Sequence, residues 1–271
     1  MSEQQNENQG FFARLRDMPA DSTLKTLIVA VGLCLFCSMI VSVAAVSLRP
    51  VQEANKLVDK RRNILEVAGL YEEGMDINEV FTQAFEPMVV ELASGEFTDK
   101  LDPVSFDDRA AKDDPELSIA LEDDPAGLGR KAQYHTVYIL KDDAGDLDKV
   151  ILPISGYGLW STLYGFIAIE EDADTIFGLQ FYEHAETPGL GAEVDNPRWK
   201  AQWKEKELFG EDGELKITVA KGVASGAMQD HHIDALAGAT LTSRGVDNLV
   251  RFWMGEQGFA PFLERIKNGD V

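Results

Sequence analysis

Apolar positions change their spacing along the chain, and the spacing predicts one helix of membrane length followed by a folded domain. Leu27 to Val46 contains no charged residue. At about 1.5 Å per residue, a helix of that size crosses a bilayer core of about 30 Å. Helical apolar spacing continues over 50–70 and returns over 76–85, where Asp76 is the predicted N-cap.

Several later apolar runs are short or alternate with polar residues, which is typical of strands. Short connections between such runs favour an antiparallel sheet. The predicted fold class is therefore α+β, a mainly antiparallel sheet with flanking helices, preceded by one N-terminal transmembrane helix. The predicted strands are 88–92, 135–140, 150–154, 163–169, 175–182 and 216–220.

Two further helices are predicted towards the C-terminus. The first covers 197–208, because Pro197 suits a first helical turn and two tryptophans follow one turn apart. The second begins near Thr240, after an irregular segment. Its apolar face has the i, i+3, i+4, i+7 spacing at Val246, Leu249, Val250 and Trp253. The acidic stretch 100–128 lacks the ligand spacing of a calcium loop and is predicted to be a solvated loop.

The anchor divides the chain into an N-terminal segment 1–26, a transmembrane helix 27–46, a linker helix 47–70 and a folded domain 71–271. A cleavable signal peptide is the alternative for the apolar segment, which is longer than a typical signal core. Basic residues flank the segment on both sides and are more numerous on the C-terminal side. Read alone, the positive-inside rule would place the large domain in the cytoplasm.

Composition narrows the classes of partner. The chain has 271 residues and a formal net charge of −22, and a surface that acidic repels nucleic-acid phosphates. The only cysteines, Cys34 and Cys37, lie inside the apolar segment. We therefore predict no nucleic-acid partner and no disulfide in the folded domain, and no metal site is predicted.

Two glycine-rich segments interrupt the predicted sheet, at 155–160 and at 184–191. Glycines beside aromatic residues favour the close approach of a flat ligand, and tight hairpin turns are the alternative. Neither segment has the Gly-x-Gly-x-x-Gly pattern between a strand and a helix, so a Rossmann domain is rejected.

A third segment, 234–240, reads Asp-Ala-Leu-Ala-Gly-Ala-Thr and precedes the last predicted helix. The free backbone N–H groups at a helix start bind anions, most often phosphate. The alternative is that Thr240 or Thr242 only caps an ordinary helix. The segment resembles the Asp-x-x-Ser/Thr-Gly-Ala-Thr motif on which a flavin transferase attaches FMN through its phosphate. Alanine at 237 departs from that motif.

Together, the segments 156–160, 184–191 and 234–240 resemble the C-subunit family of the sodium-translocating NADH:quinone oxidoreductases, and the resemblance covers nearly the whole chain. It implies a single-pass protein of the bacterial inner membrane, with 1–26 in the cytoplasm and a periplasmic FMN-binding domain. It also implies electron transfer within a translocase of six subunits that oxidises NADH, reduces ubiquinone and moves sodium ions. This chain would itself neither bind NADH nor conduct sodium.

The resemblance also implies roles for individual residues. Thr240 would hold the FMN phosphate as an ester, Thr187 and Leu190 would lie near the isoalloxazine ring, and Lys221 would stabilise a reduced flavin unless it is simply an exposed lysine. No catalytic residue is predicted, and His184 and Glu186 are assigned to acid–base chemistry or to turn stabilisation. The predicted FMN-binding residues are Trp160, Thr187, Gly189, Leu190, Gly191, Lys221, Gly238, Ala239, Thr240 (covalent), Leu241 and Thr242.

Two other functions stay open at this point. One is the related FMN-carrying G protein component of a ferredoxin:NAD oxidoreductase complex. The other is a membrane-anchored scaffold or binding protein without flavin. The expected partners are the other subunits of the membrane complex and a flavin transferase for maturation, and covalent flavin fluorescence separates the carriers from the scaffold.

Overall fold

The computed structural model describes Leu15, 17–19 and 22–271, so most of the predicted segment 1–26 lies outside the described residues. The chain forms two compact units, Met1–Leu57 and Val58–Val271. Helix α1 spans Thr23–Val67. Its most apolar 18-residue window has a mean hydropathy of 2.7 and no buried residue, so the helix is long and apolar enough to cross a membrane.

The second unit contains the end of α1 and the rest of the chain. Its other helices are α2 (Ile77–Ala84), α3 (Asp108–Ala111), α4 (Pro197–Lys200), α5 (Thr240–Met254) and α6 (Ala260–Lys267). Short 3-10 turns cover Gly191–Asp195, Ala201–Trp203 and Gly226–Gln229. The strands are β1 (Phe85–Glu91), β2 (Glu96–Phe97), β3 (Ser118–Ala120), β4 (Arg130–Ala132), β5 (Tyr134–Lys141), β6 (Leu147–Tyr157), β7 (Thr162–Glu170), β8 (Thr175–Glu183), β9 (Lys206–Glu207), β10 (Thr218–Ala220) and β11 (His232–Asp234).

Seven strands form the main sheet in the order β2-β1-β5-β6-β7-β8-β9, and every neighbouring pair is antiparallel. The predicted α+β class with a mainly antiparallel sheet is confirmed. The predicted helix 76–85 is also confirmed, since Asp76 accepts hydrogen bonds from the N–H groups of Asn78 and Glu79 at the start of α2.

The sheet is covered on both faces, and β6 shows why. Its side chains alternate, so Val150 and Leu152 join the core formed with α5 and α6, whereas Ile151 joins the core formed with α2 and the end of α1. On the α5 side, the predicted apolar face of the helix is buried through Val246 and Leu249. This packing fixes α5 against the sheet and sets the position of its first turn.

Three local predictions are wrong. The helix predicted over 197–208 ends after one turn of α4, because Glu205 adopts a φ of 62°, a conformation that a right-handed helix does not contain. The strand predicted over 216–220 is shorter and pairs in parallel with β11 outside the main sheet. The loop predicted over 100–128 contains α3 and β3.

A buried polar contact joins α3 to β5. His135 Nδ1 lies 3.1 Å from Asp108 Oδ2, and the two side chains are 7% and 17% exposed. Burial by itself raises the pKa of Asp108, but the hydrogen bond and charge of His135 and the charge of Lys60 lower that pKa to about 2. The carboxylate therefore stabilises the folded domain while it is ionised.

We expect the stabilising effect of Asp108 to disappear in acid. Its pKa is lower in the folded than in the unfolded chain, so its contribution of about 2 kcal/mol is complete above about pH 5 and is lost as the pH falls through about 2. Urea unfolding of wild-type and Asp108→Asn protein in detergent measures the difference in the free energy of unfolding. That difference should shrink between about pH 6 and pH 3, and a constant difference would contradict the assignment. Asp99→Asn, at an exposed position, is the control.

Candidate functional site

Three separate segments of the second unit meet at the carboxylate of Glu186. Its Oε1 accepts the backbone N–H groups of Leu159 at 2.9 Å and Trp160 at 3.0 Å, in the loop after β6. Its Oε2 accepts the hydroxyl of Thr242 at 2.6 Å, in the first turn of α5. Glu186 itself lies in the loop after β8. One buried side chain therefore joins the three segments that the sequence singles out.

The surroundings of Glu186 favour its charged form. Burial raises the pKa of its carboxyl group, but hydrogen bonds from Thr242 and from the N–H groups of Trp160 and Leu159 outweigh burial, so the pKa lies below its ordinary value. As an ionised carboxylate it is an acceptor only, which suits three donors. The side chain therefore acts as a fixed structural acceptor, in line with the turn-stabilising role among the two that the sequence leaves open.

Two glycines of the predicted site make room for Glu186. A Cβ atom added to Gly158 would lie 2.6 Å from Glu186 Oε1. One added to Gly191 would lie 2.5 Å from Glu186 Oε2 and 2.6 Å from Thr242 Oγ1. Gly189 has a φ of 74°, in the turn where the Leu190 N–H donates to the Thr187 carbonyl oxygen at 3.1 Å. These three glycines therefore serve the protein's own packing and turn geometry.

The start of α5 is open. Ala239 is its N-cap and provides no side-chain hydrogen bond. The N–H groups of Leu241 and Thr242 donate to no other atom of residues 22–271, and the first bond of the helix runs from the Ser243 N–H to the Ala239 carbonyl oxygen. Neither threonine caps the helix. A helix start of this kind presents positive partial charge to whatever lies beyond it.

The two threonines of this turn differ in accessibility. Thr242 is fully buried and its hydroxyl is bound to Glu186. Thr240 is exposed, and its hydroxyl makes no hydrogen bond within the described part of the chain. Gly238, two residues earlier, is also exposed and has a φ of 75°. Thr240 is therefore the threonine of this turn that an external group can reach.

Exposed apolar side chains lie on the same three segments. Trp160 is 64% exposed, and its indole N–H donates to Thr187 Oγ1 at 3.1 Å. Leu190 is 45% and Leu241 is 53% exposed, and Leu190 Cδ2 lies 3.2 Å from the position of a Cβ added to Gly238. Large apolar side chains that converge on one surface mark a place where an apolar partner is bound.

The other candidates lie elsewhere or have structural partners. Lys221 is exposed after β10 and makes no side-chain hydrogen bond or ion pair within 22–271. His184 contacts Asp195 at 2.8 Å and accepts the N–H of Glu186. The predicted role of Lys221 stays a prediction, and His184 orients the loop that carries Glu186.

Comparison with known proteins follows from this geometry. Over 258 residues, the chain is 49% identical to the C subunit of the Na(+)-translocating NADH-quinone reductase of Pseudomonas aeruginosa, covering 93% of this chain and 98% of that protein. The chain belongs to this C-subunit family. The same protein of Yersinia pestis is 47% identical over 254 residues, covering 92% of this chain and 95% of the relative.

Solved structures of the C-subunit family agree. NqrC of Shewanella oneidensis matches with a TM-score of 0.74 and 35% identity, over 79% of this chain and 99% of that one. The C subunit from Parabacteroides distasonis matches with a TM-score of 0.64 and 30% identity, over 80% and 96%. The resemblance to this family, and with it membership of a sodium-translocating NADH:quinone oxidoreductase, is confirmed.

The family model for the FMN-binding domain matches residues 158–255. The match begins at Gly158 and ends directly after α5, so Glu186, Thr240 and the exposed apolar residues all lie within it. FMN is therefore confirmed as the cofactor class of this domain. Among the described residues, no group of three or more His, Cys, Asp or Glu side chains is placed to hold a metal ion.

Sequence reasoning underrated one residue of this site, Glu186. The signal was present, since an acidic residue between glycine-rich turns is a candidate for a buried acceptor of backbone N–H groups. Its partners come from segments 26 to 56 residues away along the chain, and no local spacing predicts such contacts.

Proposed function

We propose that this chain carries FMN as a phosphoester on Thr240 and transfers electrons within the sodium-translocating complex. The observation that carries the proposal is the contrast between an exposed, unbonded Thr240 hydroxyl and a buried, bonded Thr242 at the same open helix start. A phosphate on Thr240 would lie beside free N–H groups and the positive end of the helix dipole.

The residues near Thr240 fit the rest of the cofactor. Trp160, Leu190 and Leu241 offer apolar surface for an isoalloxazine ring, and Gly238 leaves space beside the phosphate. Bound FMN supplies one- and two-electron redox chemistry. The chain's own residues hold the phosphate, cover one side of the ring and, through Glu186, keep the three segments together.

Attachment needs an activated flavin donor. The Thr240 oxygen forms a new bond to phosphorus and loses its proton, while a P–O bond of the donor breaks and its leaving group takes the electron pair. A flavin dinucleotide provides such a leaving group, a nucleoside monophosphate, whereas free FMN would have to expel water. This chemistry supports a flavin transferase as the maturation partner.

The test is the mass of the mature protein. Chain coexpressed with a flavin transferase should show a fluorescent band on a denaturing gel, and the peptide that holds residues 231–244 should gain the mass of FMN minus one water. Chain made without the transferase should lack both. An unmodified peptide in the coexpressed protein would remove the electron-carrier function and favour the flavin-free scaffold.

The same proposal includes a position in the cell. One apolar helix near the N-terminus fits a single-pass anchor, and we place the domain on the periplasmic side of the bacterial inner membrane, in a complex of six subunits. A phosphatase that is active only outside the cytoplasm, fused after Val271, should be active. An inactive fusion in cells that make normal amounts of it would reverse the orientation.

A further inference from the structure

A second cavity lies in the folded unit, bordered by α3 and by strands β4 to β8. Its volume is about 50 Å³, and none of its lining residues belongs to the loop after Tyr157, to 184–191 or to the first turn of α5. A space of this size holds a few water molecules or one small ion. It is not part of the proposed FMN site.

The charge of the lining is opposite to that of the chain. Acidic residues outnumber lysine and arginine by 47 to 25 in the whole sequence. Around the cavity there are four lysines or arginines and one histidine, against one acidic residue, Asp108. Positive groups gathered in this way in a strongly acidic protein favour a negatively charged occupant.

Arg109 has donors with no acceptor. Its Nη1 donates to Glu183 Oε2 at 2.9 Å, and its guanidinium carbon lies 3.3 Å from the centroid of the Tyr164 ring. Its Nε and Nη2 atoms are buried and have no hydrogen-bond partner. Buried donors are nearly always paired in folded proteins, so these two atoms indicate an acceptor that the chain itself does not provide.

His135 gives an independent sign of the same kind. It is only 5% exposed, it lines the cavity, and its Nε2 has no partner although its Nδ1 contacts Asp108. When both ring nitrogens carry protons, Nδ1 donates to Asp108 and Nε2 is a donor available to the cavity. A buried histidine is thus ready to donate on the same side as Arg109.

The other basic groups differ in availability. Lys131 donates to the carbonyl oxygen of Gln257, and Arg130 donates to the hydroxyl and the carbonyl oxygen of Ser118. Lys112 is half-buried and makes no side-chain hydrogen bond within the described residues. Arg109, Lys112 and His135 are therefore the groups free to meet an anion.

We propose that this cavity binds one small, singly charged anion, of halide or formate size, between Arg109, Lys112 and His135. The volume sets the size, and the nearby Asp108 carboxylate disfavours a second negative charge. Binding occurs in the folded chain alone, so occupation raises its stability as the anion concentration increases. The proposal is independent of FMN, because none of these residues belongs to the FMN site.

The experiment is a thermal unfolding series on the full chain in detergent, at constant sodium concentration and ionic strength. Sodium chloride and sodium formate replace sodium gluconate, whose anion is too large for the cavity. The unfolding midpoint should rise and then saturate with chloride or formate, and the two series distinguish a halide from a carboxylate occupant. Equal midpoints in all three salts, or a rise with sulfate alone, would overturn the proposal.

Variants locate the effect. Arg109→Gln and Lys112→Gln should each raise the anion concentration at half-maximal shift by about tenfold or more, whereas Lys267→Gln, which removes an exposed charge on α6, should leave it unchanged. Lys112→Gln serves if Arg109→Gln does not fold. An unchanged response in Lys112→Gln and in any folded Arg109 variant would exclude this cavity as the site. Broadening of the chloride NMR signal by wild-type protein, reduced by these variants, reports binding directly.

Discussion

Thr240→Val protein, produced together with a flavin transferase, is expected to carry no covalent flavin. The substitution keeps the size and branching of the side chain and removes its hydroxyl oxygen, the atom that would bond to phosphorus. Thr240 is exposed and makes no hydrogen bond within the described chain, so the variant should fold normally. Flavin fluorescence on a denaturing gel, with the mass of the peptide around residue 240, measures the outcome.

Thr242→Val is the matched control, two residues along the same helix. It should keep the covalent flavin, although it removes the donor of a 2.6 Å hydrogen bond to Glu186 and should lower stability by about 1–3 kcal/mol. Thr240→Ser keeps a hydroxyl and should accept FMN at least in part. Covalent flavin on Thr240→Val, or its loss only in Thr242→Val, would assign the ester to the other threonine.

Glu186→Ala should lower the free energy of unfolding by roughly 2–4 kcal/mol. The substitution leaves three donors without an acceptor, the N–H groups of Leu159 and Trp160 and the hydroxyl of Thr242. Glu186 is only 5% exposed, so water does not readily replace it. Urea unfolding of the full chain, with and without the flavin, measures the change.

Glu186→Gln separates the charge from the hydrogen bonds. Its amide oxygen can replace Oε1 for the two backbone donors, while its NH₂ group can donate to the Thr242 oxygen. We therefore expect a smaller loss than with alanine, about half of it. Glu171→Ala, at an exposed position in the turn after β7, should change stability little. Equal stability of Glu186→Ala and wild type would show that the three segments are held together by other contacts.

The stability due to Glu186 should also depend on pH. The folded-state pKa of this carboxyl group lies below its ordinary value. Its stabilising effect is therefore complete above the unfolded-state pKa and decreases as the pH falls below it. The difference between wild type and Glu186→Ala should accordingly be largest near neutral pH and narrow in acid.

The parts of the fold that follow from local pattern are the parts that the sequence predicts well. Alternation along β6 and the helical spacing from Val246 to Trp253 each depend on neighbours within one element, and both are confirmed. The helix over 197–208 fails because one residue, Glu205, adopts a left-handed backbone conformation. No side-chain property of glutamate announces that conformation, since it is set by the return of the chain to β9.

The site divides in the same way. Motifs locate Thr240, Gly189 and Trp160 on the correct segments, because each motif is continuous in the chain. The shared acceptor Glu186, the need for glycine at 158 and 191, and the open donors of Arg109 arise from contacts between distant segments. Such contacts exist only in three dimensions, and spacing along one chain does not predict them.

The mounting of α5 has a consequence for any group attached to Thr240. The helix begins at that residue, and its buried length ends near Trp253, whose indole N–H donates to the Ser155 carbonyl oxygen at 2.6 Å. The point of attachment therefore has little freedom of its own. The only flexible joints left between the sheet and a flavin ring would be the side chain of one threonine and the phosphate and ribityl bonds of the nucleotide. If redox partners on two sides are too distant for that short arm, the whole globule must travel between them.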